Sequence, residues 1–132
     1  MSFTDFLEDE LLDHLLDDGA WTAPSPPYLG LSTTTPTDAG SNFTEPASGG
    51  YARTAAAAAA WNASSGGSKD NGSAIDMGTA SGAAWGTVTH VGLFDASTAG
   101  NLLATAALDT SKAIGDGDSA EFAAGAIAFT LD

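Results

Sequence analysis

The sequence predicts a mainly β fold, an antiparallel β-sandwich or barrel-like domain preceded by one N-terminal amphipathic α-helix. Three observations carry this expectation. Leucines recur at helical period only near the N-terminus, short β-rich runs recur about every 8–12 residues with turn chemistry between them, and the chain closes on alternating apolar and small residues. At 132 residues the chain is the size of one ordinary domain. The expected organisation is a helix over residues 1–19 and a single β-sandwich domain over residues 20–132.

The helix is expected over residues 2–18, with Ser2 as N-cap, Asp5 completing a capping-box pattern and Gly19 as the stop. Phe3, Leu7, Leu11, Leu12 and Leu15 fall on one wide apolar face, and Asp5, Asp9, Asp13 and Asp17 form an i,i+4 ladder on the other. Phe6 sits near the acidic side. Like charges at that spacing each cost roughly 0.2–0.5 kcal/mol. No lysine or arginine occurs before Arg53 to offset them. Acids in the last turn also oppose the helix dipole. Such a helix depends on docking its leucine face, so Phe3, Phe6, Leu7, Leu11 and Leu15, with Asp5, Asp9 and Asp13, are the candidate interface. The acid ladder is either a solvated face or a complement to a basic patch on a neighbouring subunit.

Residues 21–27 hold three prolines and cannot be helical. Tyr28-Leu29-Gly30-Leu31-Ser32 reads as the first strand, and residues 33–50 as a long Thr/Pro/Gly-rich loop. The six alanines at 55–60 are locally helical but too few to hold a helix in water, and a closely packed strand is the rival. Residues 64–73 read as a polar loop and 74–77 as a short strand. The strongest β signal is 87–94, apolar and β-branched on both alternations, as in a strand covered on two faces. Residues 101–108 follow as a strand, Asp116-Gly117 as a hairpin turn before 120–122, and 127–131 as a strand with one buried face.

A net charge of −14, from seventeen acids against Arg53, Lys69 and Lys112, excludes the basic footprint of a nucleic-acid binder and disfavours an anionic membrane surface. With no cysteine, disulfides, thiolate metal sites and cysteine nucleophiles are absent. No run is long enough to span a bilayer and no signal-peptide pattern is present, so synthesis in a host cytoplasm is expected. The Asn-x-Ser/Thr triplets at Asn42, Asn62 and Asn71 are taken as accidents of a Ser/Thr-rich chain.

Catalysis needs convergent groups, and none is readable. His14 borders the leucine face and His90 lies within the central strand, both expected as packing or interface residues. Asp116, Asp118 and Glu121 are spaced for calcium but lack the EF-hand pattern, so a solvated turn is expected. No catalytic residue, cofactor or metal is assigned. Trp21, Trp61, Trp85, Tyr28 and Tyr51 raise the alternative of a carbohydrate- or receptor-binding module, with packed aromatics as the simpler reading.

Four motifs resemble those of a family of small tailed-bacteriophage virion structural proteins, described as tail-fibre-like, head-decoration or minor structural proteins. They are Leu11-Leu12-Asp13-His14-Leu15-Leu16, Tyr28-Leu29-Gly30-Leu31-Ser32-Thr33, Gly49-Gly50-Tyr51-Ala52-Arg53, and Trp85-Gly86-Thr87-Val88-Thr89-His90-Val91-Gly92-Leu93-Phe94-Asp95. The resemblance continues through Gly100-Asn101-Leu102-Leu103 and Phe122-Ala123-Ala124-Gly125 and so spans nearly the whole chain. The alanine run and the acidity depart from it. The resemblance implies a non-enzymatic subunit on the virion surface, a homo-oligomer partnered by the major capsid protein or by neck or tail proteins. Because the acidic surface repels packaged DNA, outward-facing capsid decoration is slightly favoured over a neck or tail appendage.

Overall fold

A computed structural model describes residues 1–17 and 19–131. It is mainly β with antiparallel sheets. Its strands are β1 (Ser2–Phe3), β2 (Tyr28–Ser32), β3 (Thr54–Ala55), β4 (Ser68–Asp70), β5 (Ile75–Thr79), β6 (Gly86–Phe94), β7 (Leu102–Ile114), β8 (Ser119–Phe122) and β9 (Ala128–Thr130). The one α-helix among the described residues is α1 (Asp5–Leu16), and a short 3-10 turn spans Ala58–Ala60. A five-stranded sheet runs in the order β1-β7-β6-β2-β3, accompanied by two-stranded ladders β4-β9 and β5-β8.

The ladders bury the large sheet's inner face. Register sets Leu29 opposite Leu93 and Leu31 opposite Val91. These residues, with Val88 and Ile114, pack against Ile75 and Met77 of β5, Trp85 and Ile127. A register shift between Val88 and His90 lets both Val88 and Val91 face this core although they lie three residues apart. The opposite face of β2 and β6 is covered by residues 33–53. The expectation of a doubly covered strand is met there for that reason.

The N-terminus departs from the expected helix-first order. Ser2 is no N-cap: Ser2 and Phe3 pair with Thr105 and Ala104 as the edge strand β1. Thr4 takes the cap position in extended geometry, but its hydroxyl donates to the carbonyls of Leu102 and Leu103 at 2.6 and 3.1 Å, leaving α1 without a side-chain cap. Thr4 is fully buried, so pairing with β7 outcompetes capping. The Met1 amino group donates to the Ala128 carbonyl at 2.7 Å, joining the two ends of the chain. Asp18, the last residue of the expected helix, lies outside the described residues.

Four further segments differ in detail from the sequence expectation. Residues 64–73, expected as loop, contain β4, whose Ser68, Lys69 and Asp70 pair with Thr130, Phe129 and Ala128. β7 runs on to Ile114, with Val88 pairing Lys112 and His90 pairing Ala107, so residues 108–111 bulge opposite Thr89. Asp116-Gly117 does turn the chain, but not as a hairpin, because β8 pairs with β5 and not with β7. The Gly117 N–H donates to Ala80 and the Ala80 N–H to Asp118, which tie this turn to the end of β5. The alanine run is neither element throughout: Ala55 pairs with Tyr28, Ala56 is fully buried and donates to Pro27, and Ala58–Ala60 form the 3-10 turn.

Candidate functional site

Two constructions stand out, a polar clasp over the outer face of β2 and β6 and an apolar groove beside α1. The clasp is built from the Gly-Gly-Tyr-Ala-Arg and Trp…Asp motifs, which the fold brings together. Gly49 at φ 66° and Gly50 at φ 68° turn the chain in the left-handed region that favours glycine. The Gly49 carbonyl then accepts from Trp85 Nε1 at 2.9 Å. Tyr51 stands edge-on to Trp85 with centroids 5.3 Å apart. Its hydroxyl accepts from the Leu31 N–H at 2.7 Å and donates to Glu45 Oε1 at 2.9 Å.

Burial pushes the Tyr51 phenol well above its usual range; the Leu31 N–H opposes the shift and the Glu45 carboxylate adds to it. Arg53 completes the clasp. Its guanidinium holds Glu45 through Nε and Nη2, donates from Nη1 to the carbonyls of Ala96 and Ala99, and lies 3.4 Å over the Phe94 ring. Room for this comes from Gly30 and Gly92, which face each other across β2 and β6. A Cβ on Gly30 would meet Glu45 and Phe94 at 3.0 Å, and one on Gly92 would meet Phe43 at 2.5 Å.

Asp95 closes the 95–100 loop by accepting from the Asn101 backbone and side chain at 2.7 and 2.8 Å. The clasp therefore spends every polar group internally and offers no free nucleophile or base. Its role is to hold three loops on the sheet. Glu45 goes unnoticed in the sequence and Asp95 reads there only as part of a motif and a turn, although a lone arginine after fifty residues without a cation points to a committed anionic partner.

The groove has a volume of about 780 Å³. Phe3, Leu7 and Leu11 form one wall, and Trp61 and Phe129, edge-on at 5.7 Å, form another. Trp21 and Leu131 also line it. The candidate interface residues are thus divided. Phe3, Leu7 and Leu11 reach the groove, with Leu7 buried; Phe6 is half-buried; Asp5, Asp9 and Asp13 are exposed; and Leu15 is 77 % exposed. Of the leucine face, expected to dock onto the sheet or a symmetry mate, only the Phe3, Leu7 and Leu11 part is covered or lines the groove within the chain, and Leu12 and Leu15 remain exposed.

The remaining candidates separate. Trp85 and Tyr51 belong to the core and clasp, whereas Trp21 and Trp61 line the groove, so the aromatics do not form one platform. His14 Nδ1 lies 2.9 Å from the Gly19 carbonyl at the helix end, and His90 Nδ1 lies 2.9 Å from the Thr89 hydroxyl. Asp116 and Asp118 accept from the backbones of Gly82 and Gly115, and among the described residues no cluster suited to a metal occurs. Asn71 is fully buried, which excludes it as a glycan acceptor. Its side chain instead joins Ser73, Ala123 and Ile127 at 2.8–2.9 Å, a structural hub that the sequence did not reveal.

No curated protein is significantly similar to the sequence. A family model described as podophage GP4 fiber I protein gp80 matches residues 2–130. That span takes in β1, α1, the clasp and every later strand. Together with the fibre-like motifs now seen to build the clasp, this match places the chain in the podophage GP4 fiber I protein gp80 family.

Proposed function

We propose that the chain is a non-enzymatic structural subunit of a phage fibre, an appendage on the virion exterior attached through the end of the molecule that carries α1 and the groove. The single observation that carries the fibre reading is the family match over residues 2–130. A net charge of −14 suits any outward-facing position, on the capsid or on an appendage, whereas the family is described as a fibre family. An appendage placement is therefore better supported than decoration. The clasp fits such a role, because it fixes long loops on a sheet without leaving reactive groups free.

Quantitative mass spectrometry of purified virions tests the placement. An appendage gives a small symmetric multiple, on the order of six or twelve copies per particle. A copy number matching that of the major capsid protein would overturn it and restore decoration.

A further inference from the structure

Among the described residues the large apolar side chains left exposed are Leu12, Leu15, Leu16 and Leu131, at 55, 77, 76 and 61 %. Three stand on the outer turns of α1, and the fourth lines the groove together with Leu7 and Leu11. Leu11 and Leu15 lie one turn apart on the same face, so groove and outer helix form one apolar surface. Single exposed leucines need no explanation, but one lining the groove and three on the turns of α1 that follow its groove-lining Leu11 mark an interaction surface.

Charge selects the occupant. α1 carries Asp5, Glu8, Asp9, Glu10, and Asp13, followed by Asp17 at its C-cap. The chain's three cations are too few to neutralise these six acids. Arg53 is committed to Glu45, Lys69 lines the groove as a single cation with its amine donating to the Asn62 carbonyl at 2.7 Å, and Lys112 lines a separate cavity near Phe122. A second copy docked here would set the same acids against themselves, in a chain already at −14.

We infer that this surface docks a basic amphipathic segment of a different virion protein. Its apolar side chains seat in the groove and against Leu12, Leu15 and Leu16, while its lysines and arginines pair with the acids of α1. This is the helix-in-groove mode of recognition with charge setting the choice of partner. The inference rests on the proposed appendage role, for which it supplies the attachment point.

Carbodiimide crosslinking of purified virions, which joins a carboxylate directly to a neighbouring amine, tests it. Links from Asp9, Asp13 or Asp17 to lysines of a different chain are expected. Links to Lys69 or Lys112 of another copy would overturn the inference in favour of self-association. Helix carboxylates that link to nothing, while others on the chain do link, would overturn it as well.

The L12S/L15S/L16S triple variant provides a second arm. Its sites are exposed, so the unfolding midpoint should stay at the wild-type value while incorporation into particles falls on the order of tenfold. Wild-type incorporation would sink the docking surface. A virion copy number matching the capsid protein refutes the appendage placement instead, so the two failures are distinguishable.

Discussion

Replacing Arg53 with methionine keeps most of the side chain's apolar stem and removes the guanidinium at the centre of the clasp. The arginine side chain is 8 % exposed and its partner Glu45 28 %. Breaking a buried pair costs about 3–5 kcal/mol, because one charge is left without its partner. Water reaches Glu45 in part, which places the loss near the lower limit, about 3 kcal/mol. The contact with Phe94 adds roughly 0.5–1 kcal/mol. The carbonyls of Ala96 and Ala99 lie on a loop open to solvent and can rebind water, so they contribute little.

The total, about 3–4 kcal/mol, is a large part of the 5–15 kcal/mol that typically stabilises a domain, and lowers Tm by on the order of 10 °C. Urea unfolding followed by tryptophan fluorescence measures it, since Trp85 abuts Tyr51 in the same assembly. Lysine at position 53 should rescue little, because it lacks the planar fork that engages Glu45 and two carbonyls at once. A double-mutant cycle with Glu45→Gln should return a coupling of about 2 kcal/mol. A loss below about 1 kcal/mol for Arg53→Met, or a coupling near zero, would show that the clasp does not hold the loops.

Two further outcomes follow from the same region. Gly49→Ala should cost about 2–4 kcal/mol, because φ is 66° and the new methyl would collide with the Ala83 carbonyl and the Trp85 ring; unchanged thermal unfolding would contradict this. For Tyr51, whose phenol is held above its unfolded value, both states are neutral below about pH 10; above that the unfolded chain ionises first. Stability is therefore fully present below about pH 10 and lost as pH rises further. Tyr51→Phe should lower stability at neutral pH by about 1–2 kcal/mol and flatten the alkaline loss, and urea midpoints that fall in parallel for both proteins above about pH 10 would refute the assignment.

The placement of α1 also bears on truncation. Phe3 and Leu7 are packed into the structure and Ser2 and Phe3 pair with β7, so removing residues 1–18 would strip an edge strand as well as a docking helix. Changes confined to Leu12, Leu15 and Leu16 isolate attachment from folding.

By itself the sequence determined the fold class, the existence of one acidic helix, the positions of β2, β5 and β6, and the glycine and proline loops. Each of these rests on local chemistry: helical or alternating apolar period, β-branched runs, and turn residues. It also marked the Gly-Gly-Tyr-Ala-Arg and Trp…Asp motifs, but not that they meet. Only the tertiary structure joined Arg53 to Glu45 and Phe94, because those contacts depend on the Gly30–Gly92 register between strands distant in sequence.

The same holds for β1 and β4, short segments with little strand propensity that are extended because β7 and β9 offer them partners. It holds for Asn71, whose buried amide is satisfied by Ser73 nearby and by Ala123 and Ile127 from a distant segment. The leucine face of α1 was legible as a stripe. Its division into a groove-lining part, Leu7 and Leu11, and an exposed part, Leu12 and Leu15, is a property of the assembled fold and not of the helix.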